Sequence, residues 1–161
     1  MQDFRDGMTD NAHAFRIDPA MSEQPRIAVL IPCHNEALTV AKVVRDFRAA
    51  LPEATIHVFD NASTDDTAAL ARAAGAFVVG VPAKGKGHVV RSMFRDVDAD
   101  VFLMVDGDDT YPADRARAVL APVLEGDADM VVGTRLEVHH DSAFRRFHGF
   151  GLARNEGRDA G

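Results

Sequence analysis

The sequence predicts a three-layer α/β/α protein, with a mostly parallel sheet covered by helices on both faces. Short β-rich apolar runs alternate with helical patterns, and Gly, Pro, Asn or Asp separate them. The runs are almost continuously apolar, which is typical of strands buried on both faces. Strand–helix units in series favour parallel pairing, because each helix carries the chain back across the sheet. At 161 residues, the chain is long enough to bury a sizeable core.

Five apolar runs are the predicted strands of this sheet. Each is a short stretch of aliphatic and aromatic residues that ends at a polar or turn-forming residue. In chain order they are Ile27–Ile31, Thr55–Phe59, Ala76–Val81, Val101–Val105 and Met130–Val132.

The first two predicted helices precede and follow the second strand in the sequence. Apolar residues from Val40 to Leu51 recur at helical spacing, and Pro52 ends that pattern. Ser63 with Asp66 three residues later predicts a capping box, which would open a helix that Gly75 ends.

Two further helices follow the third and fourth strands. The third is predicted from the apolar residues Val89, Val90, Met93, Phe94 and Val97. Pro112 suits the first turn of the fourth helix, because its missing N–H has no helical partner there. The inner face of that helix is predicted to be Ala116, Val119, Leu120 and Val123.

The chain divides into three segments by pattern. Residues 1–25 lack an apolar period, and we expect a flexible leader. Residues 26–142 carry the strand–helix alternation and form the predicted domain. Residues 143–161 show no strand or helix pattern, which predicts an irregular tail.

Composition excludes several classes of protein. The formal net charge of −7 argues against a nucleic-acid binder, which would show a basic face. One Cys permits no intramolecular disulfide and favours a reducing compartment, so we expect a cytoplasmic protein. No apolar run approaches the roughly 20 residues that span a bilayer, and no signal-peptide pattern is present.

Polar residues collect where the predicted strands end. Ligands of open parallel sheets bind beyond the carboxyl ends of the strands, so these positions are the candidate site. The segments that follow the five strands are Pro32–Glu36, Asp60–Ser63, Pro82–Gly87, Asp106–Thr110 and Gly133–Arg135.

Asp106 and Asp108 are candidate metal ligands. Carboxylates two residues apart in a turn can converge on one cation, and hard oxygen donors select Mg²⁺ or Mn²⁺. Gly107 between them permits close backbone approach to a ligand. Residues 96–114 hold seven aspartates and no Lys or Arg, which concentrates the negative charge here. A solvated acidic turn explains this motif alone about equally well.

Two other segments could contact a ligand. Asp60 and Asn61 suit hydrogen bonding to a base or ribose, although an ordinary turn explains the pair better by itself. The loop of Lys84, Gly85, Lys86 and Gly87 resembles a phosphate-holding loop without P-loop spacing, and a solvated loop is its simpler explanation. A thiol nucleophile at Cys33 is disfavoured because no orienting third group can be named.

The ordered set of motifs resembles the family 2 glycosyltransferases of the GT-A fold. The resemblance covers about residues 26–148 and is greatest with the branch of dolichol- and polyprenyl-phosphate sugar transferases. The motifs that carry it begin at Ile31, Asp60, Gly85, Asp106 and Asp129, and they read IPCHNE, DNASTDDT, GKG, DGDDTYP and DMVVGTR.

The resemblance implies roles for individual residues. The segment that lines the nucleotide pocket is matched by Pro32, Asn35 and Glu36. Asp60 matches the aspartate that contacts the nucleoside base, with Asn61 beside it. Lys86 falls in the loop near the diphosphate, and Arg135 matches a basic position that binds phosphate. Asp106 and Asp108, with Gly107 between them, match the Asp-x-Asp motif that anchors the donor diphosphate through Mg²⁺ or Mn²⁺. Residues 26–142 would then be the donor half of a glycosyltransferase.

The implied reaction moves a sugar from a GDP- or UDP-sugar to an acceptor, with inversion at the anomeric carbon. A lipid phosphate acceptor would place the protein at the inner membrane face and would need no strong base, whereas a hydroxyl acceptor would need one. Family members usually continue well beyond this length, so the acceptor half is predicted to be missing or diverged in 143–161.

Two alternatives follow from the missing or diverged acceptor half. The chain could be a catalytically inactive nucleotide-sugar-binding module, or a truncated fragment that works in an oligomer or with a partner chain. A sugar nucleotidyltransferase is a third reading, disfavoured because the Gly-rich nucleotidyl loop is absent from the N-terminal region.

Overall fold

The computed structural model describes residues 24–133 and 150–154. The strands are β1 (Ile27–Cys33), β2 (Thr55–Asp60), β3 (Phe77–Gly80), β4 (Val101–Met104), β5 (Val132–Gly133) and β6 (Phe150–Arg154). The helices are α1 (Val40–Ala50), α2 (Thr67–Ala73), α3 (Lys86–Asp96) and α4 (Ala116–Leu124), and a 3₁₀ turn, Ala113–Arg115, precedes α4.

The described strands form one six-stranded sheet in the order β3-β2-β1-β4-β6-β5. The first four strands in that order are parallel, and β6 runs antiparallel to both β4 and β5. In register, Cys33 lies beside Asp60, and Asp60 lies beside Gly80. The mostly parallel sheet predicted from the sequence is therefore confirmed.

Helices cover both faces of the sheet. Val29 and Ile31 of β1 pack in one apolar cluster with residues of α1, α2 and α4. Leu30, between them, belongs to a second cluster that includes Met93 of α3. All three β1 side chains have no exposed surface, which explains the unbroken apolar run and confirms three layers.

The tail contains a strand that the sequence pattern does not predict. Residues Phe150–Arg154 form β6 and pair with β4, whereas 143–161 was predicted to be irregular. Gly and Ala at two of its five positions weaken the intrinsic strand preference. The open edge of β4 supplies the hydrogen-bonding partner instead, which is a tertiary effect. The predicted leader lies outside the described residues up to position 23.

The capping box predicted before α2 is wrong. The helix begins at Thr67 after Asp66, and no side-chain capping bond forms there. The Ser63 hydroxyl accepts a hydrogen bond from the Asn35 N–H at 2.9 Å instead, which ties the β2–α2 loop to the end of β1. Gly75, at φ 95°, follows the helix end as predicted.

The fourth helix keeps its predicted inner face. Ala116, Leu120 and Val123 are buried, and Val119 is partly buried against the same cluster. Pro112 stands before the 3₁₀ turn rather than inside α4. Across the described ranges, no helix has the length and apolarity needed to cross a membrane.

Candidate active site

A cleft of about 180 Å³ opens at the carboxyl ends of β1, β2 and β4. Seven of the nine predicted site residues that the structure describes line it: Pro32, Glu36, Asn61, Lys86, Asp106, Gly107 and Asp108. The parallel sheet brings these segments together because it ends all three strands at one edge.

The turn of Asp106, Gly107 and Asp108 follows β4 and forms one wall of the cleft. The Asp108 carboxylate accepts hydrogen bonds from the N–H and the hydroxyl of Thr110, which hold it in a local turn. The Tyr111 hydroxyl lies 3.4 Å from Oδ2 of Asp106. Both carboxylates are therefore held by residues that follow them in the chain.

Gly107 is packed tightly against β1. A Cβ atom placed there would lie 2.5 Å from Sγ of Cys33, well inside van der Waals contact. Its φ is not in the left-handed region, so the requirement for glycine is one of space. The turn between the two carboxylates can lie this close to β1 only with hydrogen as its side chain.

Glu36 contributes a third carboxyl group to the cleft. Its backbone N–H donates to the Thr67 hydroxyl at 2.8 Å, which fixes the start of the β1–α1 loop. Burial raises the pKa of Glu36, and the negative charges of Asp108 and Asp106 raise it further. The three carboxyl groups therefore share one negative field, which favours a bound cation.

Asn61 lines the cleft, but its carboxamide is committed to the protein. Nδ2 donates to the carbonyl oxygens of Val81 at 3.0 Å and Ala83 at 2.8 Å. Oδ1 accepts from the Gly85 N–H at 3.0 Å. The side chain thus binds the loop between β3 and α3, a role that its residue type alone did not indicate.

Lys86 is the first residue of α3 and lines the cleft. Gly85 before it has φ 120°, a conformation that other residues rarely adopt. The free backbone N–H groups at a helix start favour anions, and an ammonium group beside them adds to that preference. This side of the cleft is therefore positive, opposite in sign to the aspartate turn.

Two of the predicted site residues that the structure describes do not line the cleft. Asn35, in the left-handed region at φ 58°, accepts from the Thr64 N–H at 2.8 Å through Oδ1, so its carboxamide joins two loops. Oδ1 of Asp60 accepts from the Ser63 N–H at 3.4 Å. Arg135 lies outside the described residues.

His34, Cys33 and Val89 also line the cleft, and none of them was predicted to contact a ligand. The His34 Nδ1 lies 2.8 Å from the carbonyl oxygen of Asn61 and must donate to it, because a carbonyl oxygen only accepts. Position within the strand-end segment Pro32–Glu36 was the available signal for His34. Val89 is a buried residue of α3 whose apolar type concealed its place at the site.

Cys33 is a buried thiol beneath the cleft. Burial raises its pKa far above the usual range, and the nearby Glu36, Asp60 and Asp106 carboxylates raise it further. A thiol kept protonated in this way is a poor nucleophile, in agreement with the sequence, which disfavours thiol chemistry at Cys33.

The donor set fits a hard divalent cation held partly by substrate. Asp106 and Asp108 supply two carboxylates at one cleft wall. Within residues 24–133 and 150–154, no cluster of three or more His, Cys, Asp or Glu side chains could ligate a metal. Mg²⁺ and Mn²⁺ are commonly bound by one or two carboxylates, with water and phosphate oxygens completing the shell.

Comparison with known proteins points to one family. The sequence profile of Glycosyl transferase family 2 matches residues 28–158. Protein RfbJ of Shigella flexneri is 54% identical over 122 residues, which cover 76% of this chain and 95% of RfbJ. Glycosyltransferase AglJ of Haloferax volcanii is 40% identical over 126 residues, which cover 78% of this chain but only 41% of AglJ.

Solved structures share the fold. One is glucosyl-3-phosphoglycerate synthase from Mycobacterium tuberculosis in complex with Mn²⁺, UDP-glucose and phosphoglyceric acid, with TM-score 0.57 and 27% identity; the match covers 64% of this chain and 40% of that one. Another is mannosyl-3-phosphoglycerate synthase from Rubrobacter xylanophilus, with TM-score 0.58 and 29% identity over 63% of this chain and 37% of that one.

The chain thus spans about two fifths of AglJ and of these two solved chains, although it spans nearly all of RfbJ. The dolichol and polyprenyl branch stays a prediction, because the matches do not single it out. Since the profile covers most of the sequence and the solved neighbours share the fold over nearly two thirds of the chain, the chain belongs to glycosyl transferase family 2 and has the GT-A fold of these glycosyltransferases.

Proposed function

We propose that this chain binds a nucleoside diphosphate sugar in the cleft and, with a divalent cation, catalyses transfer of the sugar to an acceptor with inversion. The observation that carries the proposal is the pairing of opposite charges in one cleft. Asp106 and Asp108 line it together with Lys86 at the start of α3. A diphosphate bridged to a cation needs both kinds of group.

The donor would lie with its diphosphate between Lys86 and the aspartate turn. The ammonium group and the free N–H groups of α3 attract phosphate oxygens. Pro32 lines the same cleft, where a nucleoside would extend from the diphosphate. Support for a UDP-sugar comes from the M. tuberculosis synthase, which was solved with UDP-glucose. GDP-sugars remain the other donor class to test.

Asp106 and Asp108 would hold the Mg²⁺ or Mn²⁺. Structures of the M. tuberculosis synthase contain Mn²⁺ with UDP-glucose and Mg²⁺ with UDP, which supports a divalent cation here. When bound, the cation acts as a Lewis acid that stabilises charge on the departing diphosphate. Lys86 would add a second positive charge to the same leaving group.

For the acceptor we propose a phosphate group, as in a polyprenyl phosphate. Among the described residues that line the cleft, the carboxyl groups belong to Glu36, Asp106 and Asp108. Two of them are assigned to the cation, which leaves Glu36 as the one carboxyl group of this described lining that could serve as a base. A phosphate oxygen is already ionised near neutral pH and can attack the anomeric carbon without one.

Calorimetric titration tests donor binding. Wild-type chain is titrated with UDP and with GDP, each with and without Mn²⁺, and we expect Mn²⁺-dependent binding of one of them. Asp106→Asn should weaken that binding at least tenfold. Asp127→Asn is the matched control, because Asp127 belongs to another Asp-x-Asp pair that is exposed and does not line the cleft.

Turnover is then measured with radiolabelled UDP- and GDP-sugars, with polyprenyl phosphate as acceptor. Transfer of label to the lipid would support the complete proposal. Metal-dependent nucleotide binding without hydrolysis or transfer would favour the inactive binding module, or a chain that needs a partner. Failure of the intact chain to bind either nucleotide would overturn both readings.

A further inference from the structure

The carboxamide of Asn61 spans the loop between β3 and α3, residues 81–85. Its two Nδ2 hydrogens are donated to the carbonyl oxygens of Val81 and Ala83, and Oδ1 accepts from Gly85. The backbone N–H of Asn61 donates to the Cys33 carbonyl at 2.8 Å, so the residue is itself anchored to the end of β1. Through its backbone and its side chain together, this one residue joins the end of β1 to three points of the loop.

These contacts leave Asn61 little capacity to bind a ligand directly. A carboxamide has two donor hydrogens, and both are used here. Only one acceptor position of Oδ1 is left after the bond to Gly85. A direct hydrogen bond to a base or ribose, as the sequence suggested, would compete with the contacts that hold the loop.

The loop ends where the positive side of the cleft begins. Gly85 directly precedes Lys86, and its N–H donates the hydrogen bond that Oδ1 of Asn61 accepts. The backbone of Gly85 sits at φ 120°, so the chain enters α3 through a conformation that glycine permits but does not favour over others. Without a clamp, the two glycines around Lys86 would leave the loop many conformations, and ordering it on binding would cost entropy.

We propose that Asn61 is a positioning residue, which holds the 81–85 loop so that Lys86 and the start of α3 face the donor diphosphate. This inference rests on the proposed function for its ligand but not for its geometry. Asparagine suits the role because it supplies two donors and an acceptor on one planar group. Aspartate lacks the donors, and alanine lacks both.

A double-mutant cycle tests whether Asn61 acts through Lys86. The affinity of Mn²⁺–pyrophosphate is measured by calorimetry for wild type, Asn61→Ala, Lys86→Ala and the double variant. Each single change should weaken binding roughly tenfold, the size expected for a charge-assisted contact. The double variant should be little weaker than Lys86→Ala, because the clamp has no effect once the ammonium group is gone.

Arg91→Ala is the matched control, since Arg91 is an exposed cation of α3 outside the 81–85 loop and does not line the cleft. Its affinity should stay within about twofold of wild type, as expected for a surface change away from the ligand. Titration with uridine and guanosine provides the second control. Asn61→Ala should leave nucleoside affinity unchanged, because these ligands carry no phosphate; a general loss of structure would lower both.

Hydrogen exchange provides a readout that needs no ligand. In Asn61→Ala the Gly85 amide should exchange at least tenfold faster, while the β1 amides keep their wild-type rates. Asn61→Leu is the second variant if the alanine protein does not fold, and the same acceleration is expected because leucine also lacks the oxygen that accepts from the Gly85 N–H. Additive losses in the cycle, or unchanged Gly85 exchange, would overturn the proposal. If wild type binds no diphosphate, the proposed function fails, and Gly85 exchange still decides the loop contact.

Discussion

The hydroxyl of Thr39 donates a 2.7 Å hydrogen bond to the carbonyl oxygen of Gly107. Thr39 is the residue just before α1, and its side chain makes no capping bond to its own helix. One turn further on, Lys42 pairs with Asp109 at 2.9 Å. The start of α1 therefore holds the turn that carries Asp106 and Asp108, and packing of that helix on the sheet determines where the carboxylates lie.

Replacing Thr39 by valine should weaken metal-dependent nucleotide binding about tenfold. Valine has nearly the same shape, but it leaves the buried Gly107 carbonyl without this donor, a cost of roughly 1–3 kcal/mol. The measurement is calorimetric titration with Mn²⁺ and the nucleotide that wild type binds. Thr39→Ser keeps the hydroxyl and should retain most of the affinity. Equal binding by the valine and serine variants would show that the contact does not position the turn.

Replacing Gly107 by alanine should lower the free energy of unfolding by about 1–3 kcal/mol, as overpacking of a dense core does. The new methyl group would meet Sγ of Cys33 at 2.5 Å, and its other neighbours lie at ordinary contact distances. Chemical denaturation measures the effect. Gly80→Ala is the control, because a Cβ there meets nothing within 4 Å.

The Cys33→Ala background isolates that clash. With Sγ removed, the further cost of Gly107→Ala should fall below about 1 kcal/mol, because contacting residues are not additive. An undiminished cost in this background would mean that the alanine acts on the turn itself rather than on β1.

The Cys33 thiol should resist alkylation in the folded protein. It is 3% exposed, and burial and neighbouring carboxylates raise its pKa, so little reactive thiolate forms near neutral pH. We expect iodoacetamide to modify it at least a hundredfold more slowly than in denaturant, followed by mass spectrometry at pH 8. Comparable rates in the two states would show that the end of β1 opens readily.

His57 should make stability depend on pH below neutrality. Burial lowers its pKa from the ordinary 6.5, and its ring stacks on Phe77 at 5.2 Å. As pH falls below about 6.5, the imidazole of His57 becomes protonated in the unfolded chain before it does in the folded protein. The free energy of unfolding therefore decreases until the pH passes the pKa of His57 in the folded protein. His57→Phe should flatten that part of the curve, measured by denaturation between pH 5 and 8. An identical slope in both proteins would contradict the prediction.

The alternation of apolar runs and helical patterns was enough to predict the layers and the active edge of the sheet. Strands such as β1 are buried on both faces, so each position in the run must be apolar, and the pattern is visible in one dimension. Parallel strands also bring together the polar residues that follow them, because their carboxyl ends lie at the same edge of the sheet. That is why the sequence alone predicts that Asp106 and Lys86, twenty residues apart, lie at the same edge of the sheet, where both line the cleft.

Only the tertiary structure decided how the polar side chains are used. The amides of Asn35 and Asn61 could have faced a ligand, but they bind the backbones of neighbouring loops. Ser63 could have capped α2, but its hydroxyl accepts a hydrogen bond from the Asn35 N–H instead. Short polar groups have many partners within reach in a folded chain, and the choice depends on which backbone groups the fold leaves unpaired.

The tertiary structure likewise decided the strand at Phe150–Arg154 and the requirement for glycine at position 107. Sequence alone determined the fold class, the family and the strand ends at which a site would form. It did not determine β6, whose hydrogen bonds come from the edge of β4, or the contact of Gly107 with Cys33. Apolar periodicity records whether a residue is buried, whereas pairing and close approach depend on residues far apart in the chain, and no local pattern records them.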